Sequence, residues 1–168
     1  DDITALYKIT ESLVYLGGQQ IKNQEKLDYF HQAKKFSELC VLHHANTWQS
    51  LYASALTYGA LQQVSGSNEF KKECAKNIKN WIDRSLKLNP QHAESWSVLA
   101  MWHYKMASTG GIQALFLGDI KKEASYDEAK KMMTKAISLS PGNALFYPLK
   151  AKICMEMKQT SEARILLE

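Results

Sequence analysis

An all-α fold is predicted, and three observations predict it. Apolar residues recur at intervals of three and four along most of the chain, and no alternation of period two persists anywhere. Only three prolines and eight glycines punctuate the 168 residues, so helix is permitted almost everywhere. The punctuation itself recurs: Leu88-Asn89-Pro90 and Leu139-Ser140-Pro141 each close one periodic segment just before another opens. Proline has no N–H to donate and disfavours α geometry in the residue before it, so each such site ends a helix. A break that returns in similar wording is the mark of an internal repeat.

Taken in order, Ile3, Leu6, Ile9, Leu13 and Leu16 form one helical stripe, and Gly17-Gly18 is expected to stop it. Leu27, Phe30, Ala33 and Phe36 begin a second stripe that runs to about Leu42, giving a first antiparallel hairpin over residues 3–42. His44-Ala45-Asn46-Thr47-Trp48 reads like His92-Ala93-Glu94-Ser95-Trp96, and the two align without gaps. After Trp48, the spacing of Leu51, Tyr52, Ala55 and Leu56 predicts a helix of about four turns. Ser65-Gly66-Ser67 is a loop by composition, and Asn68 is a candidate cap for the helix that carries Cys74, Ile78, Ile82 and Leu86 inward. A second hairpin over 45–88 results. The third covers 93–139: a helix over 93–107, a break at Ser108-Thr109-Gly110-Gly111, an ambiguous stretch weakened by Gly118, and a helix opened by the capping box Ser125-Tyr126-Asp127-Glu128. Residues 144–168 make the last hairpin, and the whole of 1–168 reads as one domain.

Composition narrows the function classes. The formal net charge is +4, and the lysines are scattered instead of forming a run, so nucleic-acid binding is not motivated. Three cysteines at irregular spacing, with no Cys-x-x-Cys, make neither a disulfide framework nor a metal knuckle; they read as small buried apolar groups. His43 and His44 are adjacent and therefore diverge on a helix, and no partner histidine stands four residues away, so no metal or cofactor is expected. No nucleophile elbow, phosphate loop or zinc-protease pattern occurs, and the chain is not expected to be an enzyme. No apolar run reaches the length of a membrane span. The compartment is open: cytoplasmic, or periplasmic or secreted if a signal peptide ahead of Asp1 has been removed.

The second-helix pattern Ala129-x-x-x-Met133 with Pro141, its counterpart Ile78-x-x-x-Ile82 with Pro90, and Ala163-x-x-x-Leu167 resemble the tetratricopeptide repeat. So do the first-helix portions Trp96-x-x-Leu99-Ala100, Trp48-x-x-Leu51-Tyr52 and Tyr147-x-x-Lys150-Ala151. Small residues let paired helices approach and the aromatic fills the gap beside them. The resemblance runs from about residue 45 to the end and implies a right-handed stack of about four antiparallel helical hairpins. Units starting at Ala45, Ala93 and Ala144 are spaced by 48 and 51 residues, against about 34 in the standard repeat, so two intra-hairpin insertions are expected. Extended units of this kind are similar to those of bacterial envelope repeat proteins and of the regulator-of-microtubule-dynamics family.

The resemblance implies a protein-interaction scaffold that takes a peptide or protein segment in a concave groove lined by first helices. Transferred to this chain, that geometry nominates Asn46, Gln49, Ala53, Glu94, Ser97, Met101, Tyr104, Lys105, Pro148, Lys152 and Met155. The lysine and asparagine set with which chaperone-binding relatives hold a terminal carboxylate is absent from those positions. Lysines 71, 72, 76, 79, 121, 122, 130, 131 and 135 fall on second helices and their approaches, and read as a solvated convex face. An apolar cluster of Ile112, Leu115, Phe116, Leu117 and Ile120 lies in the glycine-flanked excursion, where a plain connector is polar. It either folds back over its hairpin or meets a partner; the alternative function is therefore a self-assembly module with the insertions as subunit interface, a homo-oligomer.

Overall fold

The computed structural model describes residues 2–167, and of Ile112 the backbone alone. Among the described residues there are ten helices and no strand: α1 (Ile3–Gln19), α2 (Asn23–His43), α3 (Trp48–Val64), α4 (Asn68–Leu88), α5 (Ala93–Ser108), α6 (Gly111–Leu117), α7 (Asp119–Lys122), α8 (Tyr126–Leu139), α9 (Phe146–Glu156) and α10 (Thr160–Ile165). The all-α expectation holds. Packing joins α1 with α2, α3 with α4, α5 with α8 and α9 with α10, and these contacts between neighbouring helices fit a helical repeat. The chain divides into two compact units, Asp1–Asn89 and Pro90–Glu168.

Local chemistry sets the helix starts. Asp2 accepts the Thr4 N–H at 2.8 Å, Thr47 accepts that of Ser50, and Ser125 accepts that of Glu128 at 3.1 Å as the capping box requires. The cap of α4 is Ser67, which accepts the Phe70 N–H, and Asn68 is the first helical residue. The excess length of the second hairpin is spent on helix, 17 residues in α3 and 21 in α4, leaving only residues 65–67 as the loop. A separate excursion exists in the third hairpin alone, where α6 and α7 intervene. Gly118, at φ 56° and ψ −127°, divides those two, because a side chain is strained there.

Gly17 does not stop α1. Helix continues to Gln19, and Gly17 is buried where α2 crosses: a Cβ there would lie 2.5 Å from Phe30 Cε1 and 2.9 Å from Tyr29 Cβ. Only the absence of a side chain permits that approach.

Three junctions share one backbone geometry. The residues closing α2, α4 and α8 are His44 (φ −139°), Asn89 (φ −140°) and Ser140 (φ −143°), and each donates its N–H to the carbonyl four residues back. Counted from these, the residues four, seven and eleven back are Cys40, Ser37 and Ala33; Ser85, Ile82 and Ile78; and Ala136, Met133 and Ala129. All nine are 3% exposed or less. Eleven forward stand Ala55, Ala100 and Ala151, none more than 1% exposed. The junctions are 45 and 51 residues apart, so the gapless pairing of Trp48 with Trp96 is three residues out of register. Trp96 and Tyr147 occupy the same slot, each donating to the carbonyl of a junction proline, Pro90 at 2.9 Å and Pro141 at 2.7 Å. Leu51 fills that slot in the second hairpin, while Trp48 opens its helix and packs edge-on to Tyr7 at 5.4 Å.

Candidate functional site

The residues nominated on first helices fall in both units. In Asp1–Asn89, Asn46 is exposed in the junction before α3 at φ 63°, and its side-chain oxygen accepts from Arg84. Gln49 is half-buried and Ala53 is fully buried, so Ala53 offers no surface. Tyr52, which the junction register aligns with Ser97 and Pro148, is 2% exposed, and its hydroxyl donates to Glu11 at 2.7 Å. The second oxygen of Glu11 is held by Lys8 at 2.7 Å, and the Lys8 ammonium stands 5.0 Å from the Tyr7 ring centre. Aromatic packing and this chain of polar contacts fill the space between α1 and α3. Sequence reasoning did not find that set, because Glu11 and Tyr52 lie 41 residues apart and no local pattern joins them.

In Pro90–Glu168, α5 carries Glu94, Ser97, Met101, Tyr104 and Lys105, and α9 carries Pro148, Lys152 and Met155. Met101, Lys105, Pro148, Lys152 and Met155 are exposed, while Glu94, Ser97 and Tyr104 are half-buried. Each inward neighbour explains the outward one. Ala100 and Ile153 turn into a core built on Ala93, Ala129, Met133, Ala136 and Phe146, Cys154 packs with Ala151 and Ala163, Leu99 is buried too, and the residues between them are left nearer the surface. Glu94 lies 3.3 Å from His92 Nε2, and His92 Nδ1 lies 2.8 Å from Ser95 Oγ. The order serine, histidine, carboxylate is that of a hydrolase triad, but the Ser95 hydroxyl is fully buried, and a nucleophile must reach substrate. The three side chains fasten the first turn of α5. Tyr104 and Tyr126 pack with ring centres 6.0 Å apart. Burial raises the Tyr126 hydroxyl above its usual pKa, and the Glu156 carboxylate pushes in the same direction.

The excursion divides its apolar residues. Leu117 is buried at 8% exposure, whereas Leu115 is 80% and Phe116 47% exposed; the Ile112 side chain lies outside the described residues. Lys121 anchors the segment from within α7, donating to the carbonyls of Met106 (3.1 Å), Ala107 (3.1 Å) and Thr109 (2.6 Å) at the end of α5, where Met106 also accepts the Thr109 N–H. Lys121 is therefore a helix cap and not part of a solvated face. Lys130 also departs from that expectation, bonding Glu162 at 2.6 Å and Gln159 at 2.7 Å to bring α10 against α8, with Lys150 3.4 Å from the same carboxylate. No sequence pattern marks either lysine, since the partners come from other helices.

Burial holds the thiols of Cys40 and Cys74 well above the ordinary value, each at about 11, and Cys154 is raised by the same cause. Among the described residues, no group of three or more His, Cys, Asp or Glu side chains is arranged to hold a metal ion. Nor is any described helix long and apolar enough to cross a membrane. The family model described as Regulator of microtubule dynamics protein 1-3 matches residues 1–168. No curated protein matches the chain.

Proposed function

Because the chain belongs to the regulator of microtubule dynamics protein 1-3 family, we propose that it is a non-catalytic protein-interaction module in the control of microtubules, binding a protein segment on the first-helix face of its Pro90–Glu168 unit. The observation that supports this reading most is the uncovered pair Met101 and Met155, 37% and 60% exposed, on first helices that otherwise turn their apolar residues inward. Paired exposed methionines suit a surface that adapts to a partner. The matched junctions at His44, Asn89 and Ser140 support a tetratricopeptide-like arrangement of four hairpins, in which first helices line the binding side.

Tubulin assembly followed by turbidity tests the proposal. The wild-type chain is expected to change the assembly trace, and M101D/M155D, altered only at exposed positions, is expected to leave it as in buffer. Identical traces with both proteins would remove the face from the function. A second reading, self-association through the excursion, is favoured by Leu115 at 80% exposure. Light scattering decides it: a concentration-dependent mass that L115E/F116E abolishes supports self-association, and a constant monomer mass removes it.

A further inference from the structure

We propose that Met101 and Met155 are oxidation sites, at which a hydroperoxide converts the thioether to the sulfoxide and so switches off the first-helix face of the Pro90–Glu168 unit. The proposal rests on the reading of that face as the interaction surface and adds its regulation. The sulfur of this chain resides in three cysteines and six methionines. A peroxide ordinarily meets a thiolate first. Cys40, Cys74 and Cys154 are all buried, and burial keeps each thiol protonated at neutral pH, so none of them competes. A thioether has no proton to lose, and access decides whether it reacts.

Access separates the six methionines. Met133 and Met106 are buried, and Met132 and Met157 are partly buried against the core that holds Met133. Met101 and Met155 alone are exposed among the described residues, and they stand on α5 and α9, the two helices that carry the face. The step balances without a cofactor. A sulfur lone pair attacks the peroxide, an S–O bond forms as the O–O bond breaks, and sulfur gives up two electrons. The departing hydroxide takes up the remaining hydroxyl proton and leaves as water. The product puts a polar, chiral group where a flexible apolar one stood, which removes the property that suits the pair to a partner surface. Dithiol-dependent methionine sulfoxide reductases reverse the change, returning thioether, disulfide and water.

Hydrogen peroxide at neutral pH, removed with catalase before any tubulin is added, tests this on the full chain. Peptide mass spectrometry follows every methionine and cysteine. Met101 and Met155 are expected to gain one oxygen at least about tenfold faster than Met106 and Met133, and ahead of each cysteine. In tubulin assembly the oxidised protein is expected to leave the trace as in buffer. Treatment with the two sulfoxide reductases, one for each epimer, and a dithiol is expected to restore the wild-type effect. M132L/M157L should lose its effect on oxidation as the wild type does, which keeps the half-buried methionines out of the switch. Equal oxidation of exposed and buried methionines, a cysteine oxidised first, or a melting curve that shows the oxidised protein unfolded would overturn the proposal. So would an active wild type indifferent to its sulfoxides, or M132L/M157L that stays active after peroxide. A wild type inert before oxidation would instead overturn the reading of the face, and this proposal with it.

Discussion

Gly17 shows how one missing side chain sets a helix crossing. The Phe30 ring could swing aside from a new methyl, but Tyr29 Cβ, at 2.9 Å, moves only with the backbone of α2. Gly17→Ala is therefore expected to destabilise the protein by about 1–3 kcal/mol, the range for overpacking a tight site. Gly18 has nothing within 4 Å of an added Cβ and lies in the same helix. Gly18→Ala should be neutral or stabilising by up to about 1 kcal/mol, because alanine loses less backbone freedom on folding. Urea denaturation of the two variants side by side measures the difference, and equal shifts would refute the crossing. The sequence shows two adjacent glycines and a conventional stop signal; which of them meets α2 depends on a residue 13 positions away.

At the scale of elements, two lysines hold what local propensity does not. Lys121 closes the end of α5 and so retains the short helices α6 and α7, which are only seven and four residues long. Lys121→Met removes three charge-assisted bonds at once, and proteolytic cleavage within residues 109–124 is expected to quicken by about tenfold, since local opening governs it. Global stability should change less; an unaltered cleavage rate would mean that the cap does not retain the segment. Glu162 docks α10. Its carboxyl is held below the usual 4.5, first by the hydrogen bond from Lys130, and Lys130 is raised above 10.5, first by the same bond. A lowered carboxylate contributes stability that is present above about pH 4.5 and is lost as pH falls through the lowered folded value; the raised lysine contributes until pH climbs past 10.5. The Glu162 side chain is 38% exposed, so the pair is worth about 1 kcal/mol or less after solvent screening. The stability gap between wild type and Glu162→Gln, compared in urea at neutral pH and near pH 3, should narrow in acid; a constant gap would show that the pair does not tie α10 down.

Across the whole molecule, the three cysteines form a reporter that spans both units: Cys40 and Cys74 in the first, Cys154 in the second, all buried. With thiols raised by burial, none is expected to react with a thiol reagent at neutral pH on the timescale of minutes, and all three should react once denaturant opens the units. One fast thiol in the native protein would contradict the packing around it. Much of the architecture was legible beforehand. Helical periodicity, the prolines at 90 and 141, and the capping serine at 125 each act within a few residues, so the all-α class, the pairing of helices and most helix limits could be read from the chain alone. The register of the second hairpin could not, because the junction at His44 has no proline and the neighbouring Trp48 draws the alignment three residues away from Leu51, the residue that fills the repeat position. Nor was the state of the nominated face legible: Tyr52 and Glu11 fill it in one unit through a contact across 41 positions, while Ser97 and Pro148 leave their equivalents open in the other. By itself the sequence determined where helices form, since that follows from short-range spacing and backbone chemistry, but not every inward side. In α1 the expected stripe leaves Ile9 and Leu16 39% and 43% exposed, while Tyr7, Thr10 and Gly17 are the buried residues, because α2 and α3 pack on that side. Only the tertiary structure decided which surfaces stay uncovered and which charges stay unpaired, because exposure and ion pairing depend on side chains brought together from distant parts of the chain.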